Sequence, residues 1–233
     1  VQEKKCLFCS CLIRGKSTDN HKKLCSMKIV ISCCDRKNGD LFKYNGVSVN
    51  FVSQIKGISK EKELNVRPDD KVLGESITWR ELISRQESLK EVLPAYKLYA
   101  PGIYKSLYDK YGTDFYIFSA GWGIVRADYK LPKYNITFSK SQSVPTYAKR
   151  NKEDVFHDFN HLEGIDRDEE IILIAGKDYV LPFCQLTCSF PNKKIVIYTS
   201  KDLLKNNPYI KDDNFQFRHY QTTTRTNWHY GFA

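Results

Sequence analysis

Four unbroken apolar runs organise the chain: KIVISC (28–33), FYIFSA (115–120), EIILIA (170–175) and KIVIYT (194–199). Runs of that length without polar alternation are the pattern of strands buried on both faces. Helical patterns fill the intervals. Thr78 and Glu81 have capping-box spacing and predict a helix to about Leu93, with Trp79, Leu82, Ile83, Leu89 and Leu93 close to one core-facing side. Pro101 opens a second helix with Ile103, Leu107 and Tyr111 inward, and Gly112 stops it before the second strand. Buried strands separated by helices predict an α/β domain, a mostly parallel sheet flanked by helices. The segment from Asn50 to Asp70 has no clear period and reads as a loop or small irregular excursion, a place for a substrate-binding insertion.

Composition narrows the partners. The chain has 233 residues, 41% hydrophobic, enough for one substantial core and a small appendage. Its 37 Lys and Arg against 27 Asp and Glu give a net charge of +10, which favours a polyanion through phosphate contacts and counterion release. No run approaches the roughly 18 apolar residues of a membrane span, and the first residues lack a signal-peptide pattern, so no membrane partner and a cytoplasmic location are expected. Of eight cysteines, Cys33 and Cys34 are adjacent and Cys184 and Cys188 are four apart, a usage that suits a reducing compartment better than a disulfide scaffold.

Cys6, Cys9, His21 and Cys25 follow C-x2-C-x11-H-x3-C, four tetrahedral ligands of the kind a structural Zn2+ takes. The intervening LIRGKSTDN is too polar for a core, so metal binding must supply the folding free energy. Cys11 is a competing ligand, and a set of free or buried thiols is the other reading. The predicted organisation is a basic zinc finger over 1–26 and an α/β domain with a basic tail over 27–233, Met27 standing directly before the first strand. Small basic zinc modules commonly touch nucleic acid, and many bind protein.

In open parallel sheets, ligands bind beyond the carboxyl ends of the strands. The loops following the four runs supply Cys33, Cys34, Asp35, Arg36 and Lys37, then Ser119, Gly121, Trp122, Gly123, Arg126 and Asp128, then Gly176 to Tyr179, then Thr199 to Asp202. From Lys130 to Lys152 there are six basic residues and no acid, including Lys140, Lys149 and Arg150, interleaved with Tyr134, Phe138 and Tyr147. That mixture suits a nucleic-acid backbone or a solvated loop, and the following stretch to Glu170 reverses sign. The tail FRHYQTTTRTNWHYGF brings Arg225, Asn227, Trp228 and His229 close together, for base contacts or for packing on the sheet. His157 and His161 have metal-like spacing without the HExxH glutamate, which favours a surface or capping role. Walker, dinucleotide-binding and serine-hydrolase signatures are absent from the sequence.

The stretch FSAGWGIVRADYKLPKYNITF joins Ser119-Ala120, the Gly121-Trp122-Gly123 turn, an apolar pair, Pro132 and Tyr134. It resembles the SAxxGL...PYxxTF signature of the YaaA-like superfamily, with Ile124 and Val125 where that family usually has Leu-Leu or Leu-Val. KIVISCCDRKNG and AGKDYVLPF are similar to its first strand and loop and to its third strand and helix start. The resemblance implies DNA binding and places function on Asp35, Ser119, Gly121, Trp122, Gly123, Tyr134 and Asp178. A basic finger joined to such a domain resembles anti-phage DNA glycosylases that remove glucosylated hydroxymethylcytosine.

Base excision needs a flipped nucleotide held by stacking, for which Trp122, Tyr134 and Tyr44 are candidates with Gly121 and Gly123 lining the turn. It also needs a carboxylate for the oxocarbenium-like sugar and a donor for the leaving base. Asp35 is the first carboxylate and Asp178 the second, each equally suited to a helix cap or turn, with Ser119 beside them. Arg36, Lys37 or Arg126 are the cations for the base or a phosphate. The expected activity is excision of a modified base from double-stranded DNA in anti-phage defence. The alternatives are a non-catalytic DNA-binding protein of the same fold in the DNA damage response, and an RNA base-modifying enzyme.

Overall fold

In the computed structural model, residues 27–53, 63–86, 89–138, 157–204, 207–223 and 228–232 are described. The first apolar run forms β1 (Met27–Ser32), followed by β2 (Phe42–Tyr44), β3 (Val47–Val52) and β4 (Glu63–Val66). Next come α1 (Trp79–Ser84), β5 (Val92–Pro94), α2 (Ala95–Leu98) and α3 (Ile103–Tyr111). The second run is β6 (Phe115–Ser119), continued by β7 (Gly123–Arg126), β8 (Lys130–Pro132), β9 (Tyr134–Asn135) and β10 (Phe159–Asn160). The remaining elements are β11 (Glu170–Ile174), α4 (Lys177–Thr187), β12 (Lys194–Tyr198), β13 (Phe215–His219) and α5 (Trp228–Phe232).

All four apolar runs are strands of one seven-stranded sheet, in the order β10-β7-β6-β1-β11-β12-β13. The five strands from β6 to β13 are parallel, while β7 turns back antiparallel to β6 and β10 follows β7. In chain order the parallel strands read 2-1-3-4-5, so the direction of winding reverses at β1, and the switch point, where ligands of such sheets bind, lies beyond the carboxyl ends of β1 and β11. The mostly parallel α/β architecture agrees with the sequence pattern. Phe115 to Phe118 and Ile195 to Ile197 are all buried, which accounts for the missing alternation.

Two expectations need correction. The capping box at Thr78 and Glu81 is present, with the Glu81 amide donating to Thr78 Oγ1 at 3.1 Å, but the helix ends at Ser84. Gln86 and Glu91 take φ values of +56° and +57°. Gln86 also exchanges side-chain hydrogen bonds with the Lys130 backbone at 3.0 Å in each direction, and Leu93 pairs with Leu131 between β5 and β8. Cross-strand pairing thus outcompetes helix propagation. The supposed loop from Asn50 contains the end of β3 and all of β4, which pair in parallel in a second sheet that β2 and β9 complete. Asn50 stands within β3, so the alternation of VSVNFV is visible only when Val47 to Asn50 are read together with Phe51 and Val52.

The predicted finger over 1–26, with Cys6, Cys9, His21 and Cys25, lies outside the described residues. Among the described residues no cluster of His, Cys, Asp and Glu forms a metal site, and no helix is long and apolar enough to cross a membrane. His157 and His161 do not share a helix, because β10 lies between them; His161 Nδ1 accepts the Arg126 amide at 3.3 Å.

Candidate active site

The carboxyl edge of β1 and its neighbours gathers most of the chemistry. Cys33 continues β1, its amide donating to Phe118 O at 3.0 Å. The following loop is clasped to the segment after α2: Asn38 N donates to Leu98 O at 2.7 Å and Ala100 N to Arg36 O at 3.1 Å. That clasp aims Lys37 inward. Its Nζ donates to the main-chain carbonyls of Cys34 at 3.1 Å and Asp35 at 3.3 Å, and sits 4.0 Å from the centroid of the Tyr134 ring. Burial is the chief cause that lowers the Lys37 pKa, with the nearby Lys133 cation acting in the same direction against Cys33, Cys34 and Asp35.

Behind Lys37 runs a chain of buried hydroxyls. Ser119 Oγ donates to Tyr134 Oη at 2.8 Å, and the Tyr99 and Tyr134 hydroxyls are 2.9 Å apart. Cys33 Sγ lies 3.2 Å from Tyr179 Oη and accepts the Ala120 amide at 3.4 Å. Burial first, and the Cys33 thiol second, push Tyr99, Tyr134 and Tyr179 well above the ordinary tyrosine value, so all three phenols stay protonated donors. These residues arrive from five places in the chain: the ends of β1 and β6, the first turn of α4, the strand β9, and the segment after α2.

Of the residues singled out in the sequence, Ser119, Tyr134 and Lys37 meet here. Asp35 is exposed in the loop after β1, Arg36 is exposed beside it, and Asp178 is half-buried in the first turn of α4. Asp35 and Asp178 therefore follow the carboxyl ends of the adjacent strands β1 and β11, one on each side of the switch point. Lys37 is half-buried, with its amine turned onto main-chain carbonyls.

Other candidates are placed elsewhere. Trp122 is fully buried between Phe51, at 5.0 Å, and Phe159, at 6.2 Å, and is a core side chain rather than an open stacking platform. Arg126 pairs across from Tyr116 while Gly123 pairs with Ser119, so Arg126 sits at the far end of β7, about 10 Å along the strand and at the opposite sheet edge. There it binds Asp128 at 3.1 Å. Tyr44 hydrogen-bonds Glu75 and packs edge-on against Trp79 at 5.2 Å. Gly121 and Gly123 serve packing: a Cβ on Gly123 would lie 2.6 Å from Asp158 Cβ and 2.7 Å from Phe159 N, at a φ of +99°. On Gly121 it would meet Ile136 Cδ1 at 2.9 Å.

Arg80 locks this turn from below. It binds Asp69 at 2.6 Å and the fully buried Asp158 at 3.4 Å, and donates to Trp122 O at 3.3 Å and Gly121 O at 3.4 Å. In the tail, Trp228 is buried against Tyr220, and burial lowers the His229 pKa to about 4, so His229 is neutral at physiological pH. Lys140, Lys149, Arg150, Arg225 and Asn227 lie outside the described residues. Tyr99 carried no local sequence signal; its place depends on the loop clasp.

No protein-family model matches the chain, and no curated protein or solved structure is significantly similar to it.

Proposed function

We propose that the protein is a DNA N-glycosylase whose site is the carboxyl edge around Lys37, acting on a modified base such as glucosylated hydroxymethylcytosine and serving defence against phage. The observation that carries this reading is the joining of a partly buried amine, two flanking carboxylates and a buried hydroxyl chain at the topological switch point. Asp35 or Asp178 stabilises the positive charge that develops at the sugar carbon as the glycosidic bond lengthens. The protonated phenols keep hydrogen-bond donors at the site across the physiological pH range. A net charge of +10 and the exposed Arg36 supply phosphate attraction.

The test is mass spectrometry of bases released from unmodified, hydroxymethylcytosine-containing and glucosylated phage DNA, with abasic sites scored in parallel. Release from one modified DNA is expected, and Asp35→Asn should abolish it while DNA binding persists. Unchanged release removes Asp35 from the mechanism. A second reading, a DNA-binding domain without catalysis, is favoured by the burial of Trp122, which withdraws the first-choice aromatic from base stacking. Tight binding without release from any of these DNAs selects it.

A further inference from the structure

We infer that Lys37 is the nucleophile of the site, forming a transient Schiff base through Nζ with the C1′ carbon of a deoxyribose, which gives the protein reactivity toward abasic DNA. The inference deepens the glycosylase reading and rests on it for the substrate class.

Other lysines show what distinguishes this amine. Lys28 binds Asp114 at 2.7 Å and Glu169 at 2.9 Å, Lys105 binds Asp109 at 2.6 Å, and Lys193 binds Glu170 at 2.8 Å. Each of those amines has a carboxylate partner. The hydrogen-bond acceptors of Lys37 are two main-chain carbonyls, and an aromatic face lies 4.0 Å away. An amine is nucleophilic only when neutral, and burial with main-chain carbonyls rather than a carboxylate as hydrogen-bond acceptors favours the neutral form, outweighing the nearby Asp35 charge. Lys37 has the lowered pKa that this predicts, whereas Lys28 and Lys105 have raised ones. Lys194 shares a buried amine, a main-chain acceptor in Phe190 O and an aromatic face, Phe215 at 4.7 Å, but it opens β12 at the amino end of the sheet, so chemistry and position together single out Lys37. The clasp between 36–38 and 98–100 fixes the loop at the switch point, so the amine is held in place before substrate arrives.

The step balances without an oxidant or reductant. The Nζ lone pair forms a bond to C1′, and the bond from C1′ to the base breaks with its electron pair leaving on the base, which takes the proton the amine gives up. The nitrogen lone pair then expels O4′, which is protonated by water, leaving an iminium ion between Lys37 and C1′. Water adds to that carbon, the amine departs, and an abasic aldehyde remains. The net reaction is hydrolysis of the glycosidic bond.

The full chain is incubated with duplex DNA carrying a single abasic site in the presence of sodium borohydride, which delivers hydride to the iminium carbon and makes the adduct permanent. A covalent protein–DNA adduct mapped by peptide mass spectrometry to Lys37 is expected. Lys37→Arg keeps a cation at the position but cannot form an imine, and should lose the adduct while its urea midpoint stays near that of the wild type. Absence of an adduct, or an adduct mapped to another amine, overturns the inference, and mapping on the wild-type chain needs no variant to fold. Because abasic DNA already lacks its base, the outcome is independent of base excision. Base release from modified DNA with no Lys37 adduct overturns the nucleophile and leaves the glycosylase standing; a Lys37 adduct without base release supports the nucleophile and removes the glycosylase.

Discussion

Replacing Arg80 by Ala removes the cation beneath the Gly121–Trp122–Gly123 turn. The guanidinium contacts Asp69 twice, at 2.6 and 3.1 Å, and lies 3.4 Å from Asp158, whose side chain is fully buried. It also lies 5.6 Å from the Trp122 ring and 5.4 Å from the Phe159 ring. Removing one member of a buried ion pair typically costs about 3–5 kcal/mol, because the remaining charge keeps its desolvation penalty. Two carbonyls also lose a donor, at about 1–3 kcal/mol for each group left unsatisfied. These terms share one side chain and do not add, so we expect a loss of about 4 kcal/mol, a large part of the roughly 5–15 kcal/mol of a typical domain. Urea unfolding followed by tryptophan fluorescence measures it, since Trp79 and Trp122 both lie near this network. Arg80→Met combined with Asp158→Asn should be more stable than Arg80→Met alone, because the desolvation cost of a buried carboxylate that has lost this cation is gone. A loss below about 1 kcal/mol for Arg80→Ala, or no gain in the double variant, would refute the claim that this pairing holds the turn.

Gly123→Ala should destabilise by about 3 kcal/mol or more in the same assay, since its new Cβ meets backbone at a positive φ, whereas Gly121→Ala meets the flexible end of Ile136 and should cost about 1 kcal/mol; equal losses refute the distinction. The His161 pKa is lowered from 6.5 to about 4, by burial first and Arg126 second, so the unfolded chain binds this proton more readily. Its contribution to stability is therefore full above pH 6.5 and declines as pH falls toward about 4, a slope that His161→Gln should reduce in urea midpoints taken across that window. The proposed finger predicts that the chain carries zinc and that Cys6→Ser with Cys9→Ser releases it, with weaker DNA binding; unchanged zinc by elemental analysis refutes the ligand set.

The parts of the fold visible in the sequence are those in which local pattern and tertiary burial agree. KIVIS, FYIFS, EIILI and KIVIY are continuous apolar runs because both sheet faces are covered, and each is a strand. The helix from Thr78 was overextended because the partner that draws Leu93 into a strand is Leu131, a pairing invisible within either segment. Cys33, Lys37, Ser119 and Tyr179 are legible as residues beyond strand ends, which the topology brings to one edge. Arg126 is close to Ser119 in sequence, but the reversal into β7 carries it away. Trp122 shows the limit of reading an aromatic between two glycines as a ligand platform, since those glycines permit close packing around a core side chain.

The pairing of the central strand has a consequence for how the chain is made. β1 lies between β6 and β11, and its partner on one side runs from Met27↔Glu170 to Ile31↔Ile174. Cys33 and Tyr179, in contact within the site, are separated by 146 positions along the chain. Contacts so distant in sequence require closure of a long loop before they return any stabilisation, which slows folding. During synthesis the apolar KIVIS segment emerges long before EIILI exists to cover it, leaving a nascent edge that a chaperone must shield or that will seek another strand.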